Sequence, residues 1–317
     1  ETRKAVADSL VADHGLPFTA EHVLMTVGAG GAVNTALKAL LDPDEEVIVV
    51  APFFVEYRFY IENHGGRMVV ANSGPSFDLD VDAIAAKITD KTRIVMITNP
   101  NNPTGVVYPQ KTLDELGDLL RRESAKRSRP IFVIDDAPYR KLVYDAPTCT
   151  SSFNGYENTI MATSHSKDLG LPGERIGFLA VSPRITGWER VVGAAVFCTR
   201  TLGYVNAPAL MQRIVAELQT VTVDIDWYRR KRDKLCAELS RMGYELVVPG
   251  GAFYLFPKAP GGDDVAFCMK LKDERVLAVP GSGFHMPGFF RICYCVRDEK
   301  LFGALPAFER VIRAAKA

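Results

Sequence analysis

The chain has 317 residues, 47% hydrophobic and 24% charged, enough to bury one large or two ordinary hydrophobic cores. Lys plus Arg and Asp plus Glu both count 38, so no net charge favours nucleic acid or a membrane surface, and no run is apolar enough to cross a bilayer. The six cysteines form no C-x-x-C and the five histidines no H-E-x-x-H, so no metal site is expected and a reducing, cytoplasmic compartment is.

Arg3, Val6, Ala7, Leu10 and Val11 carry a helical apolar stripe that Gly15 and Pro17 end. Val23 to Val27 reads as a strand, followed by Gly28-Ala29-Gly30-Gly31 and a helix with Ala32, Val33, Ala36, Leu37, Leu40 and Leu41 on one face. A strand, a glycine turn and a helix N-terminus make an anion site, because free N–H groups and the helix dipole point at one spot. The segment is close to G-x-G-x-x-G, but Val33 takes the third glycine position. No acid closes the next strand, Val47 to Val50, so a dinucleotide site is not expected, and a plain tight turn stays open. Pro52-Phe53-Phe54 comes next, an aromatic pair suited to core or to stacking on a planar ligand.

Arg93 to Thr98 is a strand running into Asn99-Pro100-Asn101-Asn102-Pro103-Thr104-Gly105, where two Asn-Pro steps force an irregular turn. Residues 109–123 are an amphipathic helix. The strand Pro130 to Ile134 leads into Asp135-Asp136-Ala137-Pro138-Tyr139. A carboxylate at a buried strand end needs a partner or its pKa rises, and neighbouring strand residues face opposite ways. One acid can therefore cap a helix while the other meets a buried cation.

Thr159 to Ala162 and Ile176 to Val181 are short apolar runs that read as strands around Ser164-His165-Ser166-Lys167-Asp168-Leu169-Gly170-Leu171-Pro172-Gly173-Glu174-Arg175. Gly170, Pro172 and Gly173 stop a helix, which places Lys167 on a loop at a strand end. An amine held between buried strands is a nucleophile towards carbonyls, and Arg175 brings an anion-binding group near it. Ser164-x-x-Lys167 also fits the S-x-x-K of penicillin-binding enzymes, but that chemistry needs a helix and companion segments that this chain lacks. Residues 183–220 read as helical with a break around Gly203 to Pro208, and Val223 to Met242 as a long charged connector helix. Beyond Gly243, strands Phe253 to Phe256, Val276 to Val279 and Phe290 to Val296 mix with helices, an α+β pattern. Arg291, in an apolar strand, needs an anion or an edge salt bridge.

Ser164-x-Ser166-Lys167-x-x-Gly170-Leu171-Pro172-Gly173-x-Arg175-x-Gly177 resembles the lysine segment of fold-type I pyridoxal phosphate (PLP) enzymes, the aspartate aminotransferase family. The Asn-Pro-x-x-Pro-Thr-Gly run at 99–105 and the D-x-x-Y of Asp136 and Tyr139 resemble the same family. The resemblance implies that Lys167 carries the internal aldimine and moves a proton, with Asp136 on the pyridine nitrogen and Tyr139 on the phenolic oxygen. It implies phosphate binding by Ala29, Gly30, Ser164 and Arg175, and a ring stacked on Phe54, where the family often has tryptophan or tyrosine. Asn102 is implied at the phenolic oxygen and near the substrate, and Arg291 at the substrate α-carboxylate.

The implied fold is α/β. A large domain, residues 1–222, has a mostly parallel sheet between helices, and a smaller α+β C-terminal domain spans 223–317. The implied protein is a homodimeric transaminase acting on an amino acid and a 2-keto acid, and the family's N-terminal arm is expected to be missing. Two alternatives stay open. One is another PLP reaction, by a carbon–sulfur lyase or a 1-aminocyclopropane-1-carboxylate synthase, which the runs Asp168 to Gly173 and Pro287 to Arg291 also resemble. The other is a non-catalytic PLP-binding regulator. Arg200 lies by resemblance in the region suited to a second carboxylate, and its role stays open.

Overall fold

The computed structural model describes residues 1–316. Seven strands form one sheet: β1 (Val23–Thr26), β2 (Glu46–Ala51), β3 (Arg67–Asn72), β4 (Thr92–Ile97), β5 (Phe132–Asp136), β6 (Thr159–Ser164) and β7 (Gly177–Val181). Their spatial order is β1-β7-β6-β5-β4-β2-β3. β2 to β6 pair in parallel, and β7 alone runs against both of its neighbours, β6 and β1. This is the mostly parallel sheet between helices that the alternation of strand and helix signals predicts.

The central strands are apolar on both faces because helices cover both. On one face Val47, Val49, Ile94, Met96, Ile134 and Ile160 pack against Val33, Ala36 and Leu37 of the Gly28–Leu40 helix. On the other, Ile48, Val50, Val95, Ile97 and Val133 meet Leu113, Leu116 and Leu120 of the Gln110–Ser124 helix. The period of two along each strand makes this partition, and each fully buried side chain of this size contributes about 1.5–3 kcal/mol.

A second sheet of three antiparallel strands, β8 (Tyr254–Leu255), β9 (Val279–Pro280) and β10 (Phe290–Cys293), has the order β8-β10-β9. Phe290 and Ile292 enter a separate core with Leu235 and Leu239 of the Ile225–Met242 helix, Phe267, Phe308 and Ile312.

Two details differ from expectation and one agrees with it. Gly28 to Gly31 is the first turn of the helix rather than a turn before it, since Gly28 makes the sharp entry alone at φ +70°. The helical stretch at 183–220 is, as expected, two helices, Trp188–Thr201 and Ala209–Glu217, parted by the Gly203 to Pro208 break. β3 and the Tyr57–Asn63 helix lie outside the expected elements, β3 because it is an edge strand with a half-exposed pattern instead of a clean apolar run.

Candidate active site

β1, β2, β4, β5 and β6 all end on one edge of the sheet, and the reversed β7 begins there. Open α/β sheets bind ligands at such an edge, where strand ends and helix starts leave loops free of sheet pairing. A cavity of about 310 Å³ at this edge is lined by Ala29, Gly30, Phe54, Asn102, Asp136, Tyr139, Ser164, Lys167, Arg175 and Arg291. The residues to which the family resemblance gives a cofactor or substrate role therefore all face one space, whereas Asp135 and Arg200 do not.

Part of the cavity wall gathers groups whose chemistry suits an anion. The Gly28–Leu40 helix starts there, with Ala29 and Gly30 in its first turn, so unpaired N–H groups meet the positive end of the helix dipole. Arg175, left-handed at φ 51°, precedes β7 and donates from Nη1 to the Pro172 carbonyl at 2.9 Å. Its guanidinium lies so near Gly28 that a Cβ there would stand 2.9 Å from Nη2. Only glycine admits both that approach and the positive φ.

Asp136, the last residue of β5, lines the cavity. Its Oδ2 accepts a hydrogen bond from the Tyr57 hydroxyl at 2.5 Å, and that hydroxyl lies 2.6 Å from Thr98 Oγ1. Its Oδ1 is buried without a partner. Burial pushes the Asp136 carboxyl up to about 6, against the lowering hydrogen bond from Tyr57. Asp135 points to the opposite face of the sheet, accepts from Ser152 Oγ at 2.5 Å and lines a separate cavity, as the strand period requires.

Lys167 stands half-buried on a single helical turn, His165–Asp168, rather than on a loop, and its Nζ lies 5.6 Å from the centre of the Phe253 ring. Gly170, at φ +67°, and Pro172 stop the helix after that one turn. Behind it, His165 Nδ1 lies 3.1 Å from Asp168 Oδ2 and Lys141 Nζ 3.7 Å from the same oxygen.

The far end of the cavity joins the two cores. Arg291, on β10, donates from Nη1 to Asn102 Oδ1 at 2.9 Å, while its Nε is buried with no protein partner. Its guanidinium lies 4.7 Å from the Tyr254 ring centre and 4.8 Å from that of Phe284. The Tyr139 and Tyr254 hydroxyls are 2.8 Å apart, and burial, then Tyr254, holds the Tyr139 phenol far above its usual range. Phe54 is half-buried and meets Tyr57 edge to face at 5.5 Å.

The sequence reading misses Tyr57, Tyr60 and Tyr254, which line the same cavity. Tyr57 and Tyr60 follow Phe54 at helical spacing, a signal that could have pointed to them, whereas nothing local marks Tyr254. Arg200 is exposed on the Trp188–Thr201 helix and is not among the residues lining this cavity.

Comparison with known proteins agrees with this architecture. The family described as aminotransferase class I and II matches residues 1–307. The aspartate aminotransferase of Thermotoga maritima is 31% identical over 319 residues, covering 98% of this chain and 80% of that protein. Aromatic-amino-acid aminotransferase 2 of Thermococcus litoralis is 32% identical, covering 100% of this chain and 82% of its own length. A crystal structure of an aminotransferase from Eubacterium rectale, 40% identical, matches with a TM-score of 0.97 over 100% of this chain and 80% of that one. With its fold, its cavity at the sheet edge and a family match along nearly its whole length, the chain belongs to the class I and II aminotransferases, and its reaction is amino-group transfer.

Proposed function

We propose that the cavity binds PLP and that the enzyme passes an amino group from an amino acid to a 2-keto acid, both held through their α-carboxylates by Arg291. The observation that carries this reading is the unpartnered, buried Oδ1 of Asp136 in a cavity that also holds a lysine amine and an anion-binding helix start. A carboxylate so placed suits a protonated ring nitrogen. Ala29, Gly30, Ser164 and Arg175 suit a phosphate, and Phe54 offers a ring face. The donor set thus fits PLP, which when bound supplies an aldehyde and a ring that delocalises charge developing at the substrate Cα.

The protein's own groups carry the rest. Asp136 holds a proton at the ring nitrogen. Asn102, whose Oδ1 is occupied by Arg291, has its amide NH2 to donate to the phenolic oxygen, with the Tyr139 hydroxyl beside it. The Lys167 amine takes the proton from Cα and returns it on the other side of the exchange. Arg291, with an unpartnered Nε, grips the carboxylate and orients Cα towards Lys167.

The separate sheets and cores support two domains, residues 1–222 and 223–317. Exposed Phe197, Leu210 and Ile214, on the helices Trp188–Thr201 and Ala209–Glu217, support a homodimer. Among the described residues no helix is long and apolar enough to cross a membrane. The six free thiols suit a reducing, cytoplasmic compartment.

The test loads the full chain with PLP and offers it paired amino acids and 2-keto acids. Exchange of the amine between two such substrates, followed by chromatography of both products, is expected. Retained cofactor absorbance with elimination products or ammonia, and no amine exchange for any pair, would overturn the reading.

A further inference from the structure

The alternation of β10 sends Phe290 and Ile292 into the C-terminal core and leaves Arg291 lining the active-site cavity, while Cys293, half-buried at the edge of that core, pairs with Tyr254, which lines the cavity too. The strand ends at Cys293, Cys295 follows two residues on, and the two sulfurs lie 3.1 Å apart. Cys293 is half-buried and Cys295 exposed, so a small solute reaches the pair from solvent.

The remaining thiols lack these properties. Burial pushes Cys149, Cys236 and Cys268 up to about 12, which suppresses their thiolates. Around Cys293 the hydrogen bond with the Cys295 thiol outweighs the opposing effect of burial, and a further hydrogen bond with the Cys295 backbone and the positive charges of Arg291 and Lys167 add to it, so the thiolate is favoured. A thiolate with a thiol at contact distance is the starting arrangement for oxidation to a disulfide.

We propose that Cys293 and Cys295 are an oxidant-sensitive dithiol that closes to an intrachain disulfide and thereby weakens the carboxylate-binding end of the active site. The co-reactant is a hydroperoxide, the simplest being hydrogen peroxide. The Cys293 thiolate attacks one peroxide oxygen, the O–O bond breaks, and the sulfur becomes a sulfenic acid as hydroxide leaves. The Cys295 sulfur then attacks Cys293 Sγ, the S–O bond breaks, and the departing hydroxyl takes the Cys295 proton as water. Two thiols lose two electrons and two protons, and the peroxide ends as two waters.

Closure acts on the active site through two short paths. It removes negative charge from beside Lys167 and Arg291. It also ties together residues 293 and 295 in the chain directly after Arg291, where Cys293 pairs with Tyr254 and Tyr254 packs on the Arg291 guanidinium.

The reduced full chain is treated with hydrogen peroxide, blocked with iodoacetamide, digested with trypsin and mapped by mass spectrometry. The peptide Ile292 to Arg297 should carry no alkyl group and be lighter than its reduced form by two hydrogens. Dithiothreitol should restore alkylation at both cysteines, while the other four remain alkylatable throughout. In Cys295→Ser, dimedone should label Cys293 and no bridge should form. A peptide that stays doubly alkylated, or a Cys293 that passes to sulfinic acid without a bridge, would overturn the proposal.

The kinetic arm rests on the reading of Arg291 given above. Oxidation should raise KM for amino and keto acids several-fold in wild type, reversibly, and not in Cys295→Ser. A bridge that forms without moving KM would sink the coupling to the active site. The peptide readout needs no turnover, so it succeeds or fails apart from the assigned reaction.

Discussion

Asp135 and Asp136 are neighbours in sequence yet face opposite sides of one sheet, and the chemistry proposed for them differs accordingly. Asp136→Asn is expected to leave some PLP bound but to lower kcat by orders of magnitude, because a neutral amide cannot hold a proton on the ring nitrogen. If Asp135→Asn did more damage to turnover, the assignment along β5 would be off by one residue. Lys167→Ala is expected to remove both turnover and the visible absorbance of the lysine-bound cofactor, since no other lysine lines the cavity among the described residues. Steady-state turnover in that variant would show the lysine to be misassigned. Arg291→Ala should raise KM for amino and keto acids alike, leaving PLP affinity nearly unchanged. The lost charge-assisted bidentate contact is worth about 1.5–3 kcal/mol, roughly tenfold to a hundredfold in binding. Arg291→Lys should recover part of this, because an ammonium lacks the planar fork. The substrate's α-amide and free acid should become nearly equivalent in Arg291→Ala, and an unchanged preference would make this arginine structural.

The elements supply what no single residue can. The Gly28–Leu40 helix aims its first turn at the cavity because β1 ends there, and Gly28 lets Arg175 lie against that turn. Gly28→Ala would place a methyl 2.9 Å from the Arg175 guanidinium and hold alanine at φ +70°, so the arginine must move. The backbone strain alone costs about 1–2 kcal/mol. The expected outcome is a weaker affinity for PLP with little change for pyridoxal, which lacks the phosphate, as measured by equilibrium dialysis of the apoprotein. Equal losses for both ligands would mean that the substitution disturbs the whole cavity rather than its anion end. β7 makes a related point. Its reversal brings Arg175, at a strand start, to the edge where β6 delivers Lys167 at a strand end.

At the scale of the molecule, the active site lies between two cores, and the contact from Arg291 to Asn102 spans them. Arg232 ties the Ile225–Met242 helix to both the Asp145 carboxylate and the Pro249 carbonyl, the latter at 3.0 Å. The buried carboxyls set a pH dependence of folding. Burial raises Asp135 to about 7, so the native state keeps a proton that the unfolded chain gives up near its ordinary value of 3.8. A raised native pKa means that this stabilisation is complete below the unfolded value and is lost as pH climbs through the native one. Urea unfolding of the apoprotein should show stability falling between about pH 4 and about pH 7, by a few kcal/mol for a shift of this size. Asp135→Asn should flatten that slope. An equal slope in wild type and variant would mean that Asp135 does not titrate as its burial demands.

Much of this is legible in the sequence, for a definable reason. The glycine-led helix start, the Asn-Pro turn, the alternation separating Asp135 from Asp136 and the glycine–proline stop after Lys167 are all rules of backbone geometry acting over a few residues. Such rules determined the strand ends and hence which side chains stand at the edge of the sheet, and the family resemblance supplied their implied roles. Only the tertiary structure decided which distant groups meet there. Tyr57 reaches Asp136 across 79 residues, Tyr254 meets Tyr139 across 115, and Arg291 finds Asn102 across 189. These contacts follow from the packing of two cores against each other, a property of no local stretch. The same holds for the reversal of β7, which sets Arg175 at the edge where β6 ends.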